Sequence, residues 1–339
     1  MSLGVAAPAP RLPAKAITTK RYEYSLPRMG TLFRIELYAA SDAAALKAAT
    51  AAFDRIEKLE EIFSDYRADS ELNRLSRRGA AKPQLVSPAL FDILDRSQKL
   101  SELSMGAFDV TVGPEVALWR EAHRTGHLPS SREMAKARAA VGYQRIELDQ
   151  QAHTVLLKRS DMKLDLGGIA KGYAADQALA LLKSHHIESA LIDAGGDLTL
   201  GAPPPGKAGW NVVIDSPDSG NGEPPCSLVL HDVAIATSGN SRQFVEINGQ
   251  RYSHIIDPSN GEGLKGLAST TVIAPDGATA DALATALSVL PAAEGLRVVE
   301  SISGASAYLV RQDAGRWQHF ASRGFPHACE QSPKGGVLK

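Results

Sequence analysis

The stretch from Lys163 to Gly201 holds the residues best suited to bind an anion. A short apolar strand is predicted to end at Asp165, and the Gly167-Gly168 pair then leads into a helix whose first turns carry Lys171. At such a junction the free backbone N–H groups and the positive end of the helix dipole point the same way. The stretch therefore predicts a phosphate-type site, with an ordinary βαβ unit and a tight turn as the alternative.

This stretch matches neither of the common nucleotide fingerprints. Lys171 is not followed by the Ser or Thr of the Walker motif, and the three-glycine dinucleotide turn is absent. A second strand is predicted over Ala190 to Asp193, and the Gly195-Gly196 pair and Asp197 follow it. Because glycine lets the backbone approach a ligand closely, these residues extend the predicted anion site.

Asp281 and Thr285 are candidate metal ligands. They lie four residues apart on a predicted helix, so both side-chain oxygens face the same way. A carboxylate, a hydroxyl and nearby carbonyl groups suit Mg²⁺ better than zinc, and Mg²⁺ commonly shares its shell with ligand phosphates. In the alternative interpretation, Asp281 simply stabilises the N-terminus of its helix.

His254 and Asp257 are candidates for proton transfer. The segment YSHIIDP ends a predicted strand and enters a turn, and it places a histidine three residues before a carboxylate. Such a pair supplies a proton acceptor and a group that orients its ring. A structural hydrogen bond from His254, with Asp257-Pro258 as an ordinary turn start, explains the same residues.

Three further segments offer binding chemistry beside a plain structural role. Gly106 to Asp109, GAFD, combines an aromatic ring with a carboxylate, as recognition of a base requires, or it buries Phe108 beside a helix stop. Tyr66 is either a stacking residue or a packing residue. Ala236 to Asn240, ATSGN, is a small-residue turn that either cradles a phosphate or forms a tight loop.

Helical and strand-like patterns are mixed along the chain. Apolar residues on one face predict a helix from Ser41 to Phe63, and Ser87-Pro88 is a favourable start for the next long helix. Asn248-Gly249 predicts a hairpin turn, and Leu228 to Ala236 reads as one strand. These patterns predict one α+β domain, a mixed sheet with flanking helices and several β-hairpins, rather than a doubly wound sheet.

Composition narrows the class of protein. The net charge of −1 leaves no basic surface for nucleic acid, and no apolar run is long enough to cross a bilayer. Cys226 and Cys329 are too few and too far apart for a metal knuckle, so oxygen ligands are expected for any metal, while a disulfide between them stays open. The domain is expected over residues 21–325, between a flexible leader, 1–20, and a flexible tail, 326–339.

Eight segments, in family order, together resemble the ApbE family, the FAD:protein FMN transferases. They cover roughly residues 22–312, and the ordered set is far more specific than any one segment. The segments are Met29–Thr31, Phe63–Ser76, Gly106–Trp119, Leu164–Asp176, Asp193–Leu198, Ala236–Asn240, Ser253–Gly261 and Thr279–Leu287.

The resemblance implies a Mg²⁺-dependent enzyme that cleaves the diphosphate of FAD, releases AMP and joins FMN by a phosphoester to a Thr or Ser hydroxyl of an acceptor protein. It implies a catalytic role for His254. The contacts to FAD that it implies are Met29, Tyr66, Ala107, Phe108, Asp109, Asp165, Lys171 and Ile256. The metal ligands that it implies are Gly168 and Ala284, through backbone oxygen, and Asp281 and Thr285, through their side chains.

The resemblance also implies an acceptor sequence of the type Asp-Gly-x-x-Ser/Thr followed by small residues. Residues 276–280 of this chain, DGATA, lack the hydroxyl at the fifth position, so the chain is not expected to modify itself there.

Two other activities fit the same residues: a Mg²⁺-dependent FAD diphosphatase and a flavin-binding protein without turnover. Because the N-terminus has no intact export signal, the chain is expected in the cytoplasm, or in the periplasm or at the inner membrane if such a signal has been removed.

Overall fold

The computed structural model describes residues 18–215, 217, 226–239, 244–313 and 315–326. Strand β1 begins at Lys20. The expected leader, apart from residues 18–20, lies outside the described residues, as do Cys329 and all of the expected tail after residue 326.

Helices and strands alternate irregularly along the described chain. The α-helices are α1 Asp42–Phe63, α2 Glu71–Arg78, α3 Pro88–Leu103, α4 Gly113–Thr125, α5 Ser131–Ala139, α6 Ala170–Ser184, α7 Gly277–Val289 and α8 Ala292–Glu300. The first strands are β1 Lys20–Arg28, β2 Thr31–Ala39, β3 Gln84–Leu85, β4 Ile146–Asp149, β5 Thr154–Leu157, β6 Ala190–Ala194, β7 Leu198–Leu200 and β8 Trp210–Ile214. The remaining strands are β9 Cys226–Leu230, β10 Ala234–Gly239, β11 Phe244–Ile247, β12 Gln250–Ile256, β13 Gly263–Lys265, β14 Ala268–Ala274, β15 Ser306–Asp313 and β16 Arg316–Ala321.

An eight-stranded sheet forms the centre, with the order β1-β2-β6-β7-β10-β14-β15-β16. Each of its neighbouring strand pairs is antiparallel. Three small sheets accompany it: β11-β12-β13, β3-β5-β4 and β8-β9. The predicted α+β class, with its flanking helices and its hairpin at Asn248-Gly249, is confirmed.

The two faces of the central sheet pack against different layers because side chains alternate along each strand. Val272 on β14 and Leu309 on β15 face the helices α1, α3, α6 and α7. Their neighbours Ile273 and Tyr308 face the β8–β9 hairpin around Trp210. The helical face holds the larger core, and it is there that α6 and α7 meet.

Two strand predictions are wrong. Lys163 makes only an isolated parallel bridge to Val112, because the Asp165 segment turns at once into the Gly167-Gly168 loop. The predicted strand from Leu228 to Ala236 is divided between β9 and β10. It breaks at Asp232, whose φ of 51° lies in the left-handed region and cannot continue a strand.

Asp176 on α6 holds the start of α7. Its two carboxylate oxygens accept hydrogen bonds from the backbone N–H groups of Gly277, at 2.6 Å, and Ala278, at 3.0 Å. These are donors that the first turn of a helix cannot satisfy by itself. Asp276 caps the same helix by accepting from Thr279 N at 2.9 Å. Two carboxylates therefore fix where α7 begins and how it meets α6.

We expect Asp176→Ala to lower the free energy of unfolding by about 1–3 kcal/mol, because two buried N–H groups lose their acceptors. Urea unfolding followed by circular dichroism measures the change. The matched control is Asp54→Asn on the exposed face of α1, which should stay within about 0.5 kcal/mol of the unsubstituted protein. Equal effects of the two substitutions would contradict this account of α7.

Candidate active site

The backbones of α6 and α7 touch at Gly172 and Gly277. A Cβ on Gly172 would lie 2.0 Å from the carbonyl oxygen of Gly277, so position 172 admits only glycine without a shift of the helices. The same close approach lets Gly172 N donate to Asp281 Oδ2 at 3.2 Å. A residue of α7 is thereby fixed against the first turn of α6.

Lys171, Asp197 and Asp281 form a charged cluster at this junction. The ammonium group of Lys171 is hydrogen-bonded to Asp197 Oδ2 and lies 3.7 Å from Asp281 Oδ2. Asp197, after the second glycine pair, also accepts from Thr237 N of β10 at 3.2 Å. With one cation between two carboxylates, the cluster carries a net charge of about −1 and favours a further cation.

Burial and mutual attraction set the ionisation of this cluster. Asp281 is 4% exposed, and burial raises its pKa to about 6 although Lys171 acts in the opposite direction. Burial lowers the pKa of Lys171, but Asp281 and Asp197 outweigh that effect and keep the pKa raised. The lysine is therefore charged at neutral pH.

Gly168, Thr285 and Phe108 meet beside the cluster. A Cβ on Gly168 would lie 3.0 Å from Thr285 Oγ1 and 3.3 Å from Phe108 Cε2. Thr285 is one helical turn beyond Asp281, as predicted, so the glycine turn and the two polar residues of α7 lie together. The carbonyl of Ala284, on the same turn, accepts from Ser288 Oγ at 2.8 Å.

The donors at this point suit a hard cation. They are a carboxylate, a hydroxyl and backbone carbonyls, the oxygen types that Mg²⁺ prefers. Among the described residues no group of three or more His, Cys, Asp or Glu side chains could hold a metal. A metal here would therefore depend on hydroxyl, carbonyl and ligand oxygens beside Asp281.

Asp165 and Tyr66 are joined by an arginine that sequence reasoning missed. Arg120 donates to Asp165 Oδ2 at 3.1 Å and to Asp65, and its guanidinium lies 4.2 Å from the centre of the Tyr66 ring. Burial and the nearby Asp65 raise the pKa of Asp165, while Gly167 N–H and Arg120 act in the opposite direction. Tyr66 is 78% exposed, so it is not the packing residue of the alternative interpretation.

Asp109 organises the segment that contains Ala107 and Phe108. Its oxygens accept from Thr111 N at 2.8 Å, from Thr111 Oγ1 at 2.6 Å and from Tyr143 N at 2.9 Å. Burial raises its pKa, and these hydrogen bonds act in the opposite direction. Phe108 is buried, and Ala107 and Asp109 line a cavity of about 690 Å³ together with Asp257 and Pro258.

His254 lies exposed in an irregular part of β12. Tyr252 pairs with Lys265 and Ile256 with Gly263, so β12 has extra residues between these pairs, and His254 is one of them. Such bulges re-aim side chains and are frequent near active sites. Ile256 itself is 7% exposed and packs in the cluster that contains Trp119.

Asp257 shapes the turn that follows β12. Its carboxylate oxygens accept from Ser259 N and from Asn260 Nδ2, both at 2.8 Å, and its carbonyl accepts from Gly261 N at 2.7 Å. These hydrogen bonds of the Asp257 carboxylate hold the turn together.

Met29 occupies the β1–β2 turn with a φ of 50°, a left-handed conformation that is uncommon for a residue with a side chain. Thr31, two residues further along, packs against the Gly195-Gly196 pair, because a Cβ on Gly195 would lie 2.2 Å from Thr31 Oγ1. This contact joins the Met29 turn to the segment that leads to Asp197. The turn predicted from Ala236 to Asn240 is wrong, because residues up to Gly239 belong to strand β10 and pair with β14, while Asn240 lies outside the described residues.

The predicted site residues therefore form linked groups. Lys171 and Asp281 are in direct contact, and Gly168, Thr285 and Phe108 adjoin them. The fold and site define an α+β protein with a charged cluster where the first turns of two helices, α6 and α7, meet. No helix in the described part of the chain is long and apolar enough to cross a membrane.

The sequence profile of the ApbE family matches residues 29–309, and the chain belongs to this family. It is 33% identical over 304 residues to the FAD:protein FMN transferase of Vibrio cholerae, covering 88% of this chain and 90% of that protein. It is also 33% identical over 309 residues to the FAD:protein FMN transferase of Treponema pallidum, covering 86% and 85% of the two chains.

Two solved structures have the same fold. The flavin transferase ApbE of Vibrio cholerae superposes with a TM-score of 0.82 at 30% identity, covering 91% of this chain and 99% of that one. The apo form of the flavinyl transferase ApbE of Pseudomonas stutzeri gives a TM-score of 0.81 at 26% identity, covering 96% and 100%. The likeness therefore extends over the whole domain rather than over one motif.

We expect Gly172→Ala to destabilise the protein by about 1–3 kcal/mol, because the added methyl group forces α6 and α7 apart. Thermal unfolding measures the loss. Gly324→Ala is the matched control, since a Cβ there would meet only Ser306 Cβ at an ordinary 3.7 Å. If Gly172→Ala unfolded like the control, the close contact of the two helices would be wrong.

Proposed function

We propose that this protein is an FAD:protein FMN transferase. It breaks the diphosphate of FAD, joins the FMN phosphorus to a Thr or Ser oxygen of an acceptor protein and releases AMP. The observation that carries the proposal is the contact between Lys171 and Asp281, on two helices whose first turns meet at Gly172 and Gly277. Membership of the ApbE family and the names of the relatives support this choice of reaction.

We propose a Mg²⁺ ion held by the Asp281 carboxylate, the Thr285 hydroxyl and the backbone oxygens of Gly168 and Ala284. The contact between Gly168 and Thr285 Oγ1 and the net negative charge around Lys171 support this donor set. When bound, the ion neutralises the diphosphate and stabilises the charge that develops during phosphoryl transfer. Lys171 adds a fixed positive charge beside the same phosphates.

The remaining part of FAD is proposed to contact two walls. Tyr66 offers an exposed ring face, and Arg120 is stacked against that ring and anchored by Asp165. Ala107 and Phe108 form the other wall, held in place by the hydrogen bonds of Asp109 to its neighbours. The Met29 turn and Ile256 complete the proposed FAD contacts.

His254 is proposed to take the proton of the acceptor hydroxyl. The new P–O bond to the acceptor forms as the P–O bond to AMP breaks, and the hydroxyl proton passes to the imidazole ring. The exposed position of His254 supports this role, because an acceptor protein can reach only a surface residue. Asp257 contributes by fixing the turn after β12.

The acceptor is proposed to be a flavoprotein subunit with an Asp-Gly-x-x-Ser/Thr sequence. Incubation of such a subunit with FAD, Mg²⁺ and this protein should raise the mass of the subunit by one FMN group, as measured by intact-protein mass spectrometry. EDTA and Asp281→Ala should each abolish the gain.

Two outcomes of this assay would contradict the proposal. Release of free FMN and AMP without a gain of mass, repeated with a second acceptor, would indicate a diphosphatase. Intact FAD after long incubation with both acceptors would indicate a binding protein.

We expect His254→Gln to reduce the transfer rate at saturating acceptor by about 10²–10⁴-fold, because the hydroxyl proton loses its acceptor. FAD binding, followed by flavin fluorescence, should stay within about twofold. The matched control is His127→Gln, an exposed histidine whose ring nitrogen contacts Thr125 O at 2.9 Å in a surface turn. If His254→Gln transferred FMN as fast as this control, His254 would not be the proton acceptor.

A further inference from the structure

Glu115 on α4 is a buried carboxyl group that the proposed reaction does not use. Its exposed fraction is 0%, and neither Oε1 nor Oε2 has a hydrogen-bond partner among the described residues. Buried carboxyl groups are rare unless they are paired or protonated. The residues packed against Glu115 therefore determine whether its carboxyl group is protonated or ionised.

Glu115 lies directly under the turn of residues 257–261, which continues the strand that carries His254. A Cβ on Gly261 would lie 2.8 Å from Glu115 Oε1, and the φ of Gly261 is +76°. The carbonyl of Gly261 accepts from Trp119 Nε1, one helical turn further along α4, at 2.7 Å. Helix α4 therefore holds the turn through Trp119 and supports it through Glu115.

A second helix holds the same turn from the side. Arg138 on α5 donates through Nη2 to the carbonyl of Ser259 at 2.7 Å. Arg138, Asp257 and Ser259 also line the 690 Å³ cavity together with Ala107 and Asp109. A shift of the turn would thus change both the position of His254 and the wall of that cavity.

The charged groups around Glu115 come from each neighbouring segment. Arg138 on α5 favours the ionised form, whereas Asp109 before α4 and Asp257 in the turn disfavour it. Two further side chains pack beside this turn and α4: Met134 of α5 lies beside Gly261, and Tyr252 of β12 lies against Trp119. Burial is the largest influence, and together these groups raise the pKa of Glu115 to about 8.

We propose that Glu115 in its protonated form is a positioning residue, which supports the 257–261 turn and thereby the placement of His254 and of the cavity wall. An ionised carboxylate cannot remain dry and unpaired at this place. It must either admit water or draw Arg138 away from Ser259, and both changes disturb the turn. The effect of Glu115 on the reaction rests on the proposed function, whereas its contact with the 257–261 turn does not depend on which reaction the protein catalyses.

The first test compares thermal unfolding of the unsubstituted protein and Glu115→Gln from pH 5 to pH 9. Glu115 holds its proton in the folded state up to about pH 8 but loses it near 4.5 when unfolded. The folded state therefore binds more protons in this window, and stability must fall as pH rises. Gln stays neutral at every pH in this range. The Tm of Glu115→Gln minus the Tm of the unsubstituted protein should therefore increase from pH 5 to pH 8 and then level off.

The matched control is Glu121→Gln on the same helix, whose carboxylate is exposed and pairs with Arg124. Its difference in Tm from the unsubstituted protein should not grow with pH between pH 5 and pH 8. If Glu115→Gln followed the same course as this control, Glu115 would not be a buried, protonated group, and the proposal would be overturned whatever the reaction is.

The second test measures kcat/KM for transfer by the same proteins at pH 7 and pH 9. A group with a pKa near 8 keeps about nine-tenths of its protons at pH 7 and about one-tenth at pH 9. The ratio of kcat/KM for the unsubstituted protein to that for Glu115→Gln should therefore fall about tenfold. Groups that titrate in both proteins, including His254, change the two kcat/KM values alike, so their effect cancels in the ratio.

A constant ratio, with the expected change in Tm, would overturn the positioning role and leave a purely structural carboxyl group. Absence of transfer by the unsubstituted protein with two acceptors would overturn the proposed function, and the role of Glu115 in the reaction with it. The Tm measurement decides the protonation of Glu115 in either case.

Discussion

The backbone contact between α6 and α7 is the constraint on which the site depends. Gly172 and Gly277 allow the helices to approach until Gly172 N reaches Asp281, and Asp176 holds the first N–H groups of α7 in the same place. No flexible side chain separates the two elements. The main chain therefore fixes where Lys171, Asp281 and Thr285 lie relative to one another. A site for a metal and a diphosphate would require such an arrangement to be present before the ligand binds.

The charges around this contact indicate why the proposed diphosphate site would need a metal ion. Lys171 is already paired with Asp197 and lies near Asp281, so the cluster has no surplus positive charge for a diphosphate. A divalent cation would reverse that balance, and the hydroxyl and carbonyl oxygens beside Asp281 suit Mg²⁺. The phosphate site and the metal site would thus be complete only together.

Local patterns in the sequence predicted much of the fold and part of the site. Helical spacing placed Asp281 and Thr285 on one face, and the Asn248-Gly249 turn predicted its hairpin. Contacts between distant segments could not be predicted from local patterns: Arg120 reaches Asp165 across 45 positions of the chain, and Gly172 meets Gly277. The buried state of Glu115 follows from packing against Gly261, for which the sequence of α4 contains no signal.

The most direct test of this account is a crystal structure of the protein with FAD, in which Mn²⁺ replaces Mg²⁺ and is located by its anomalous scattering. We expect a peak about 2.1 Å from an oxygen of Asp281 and from Thr285 Oγ1, with the FAD phosphates beside Lys171. Well-ordered FAD with its diphosphate elsewhere, or a metal peak away from the junction of α6 and α7, would contradict it.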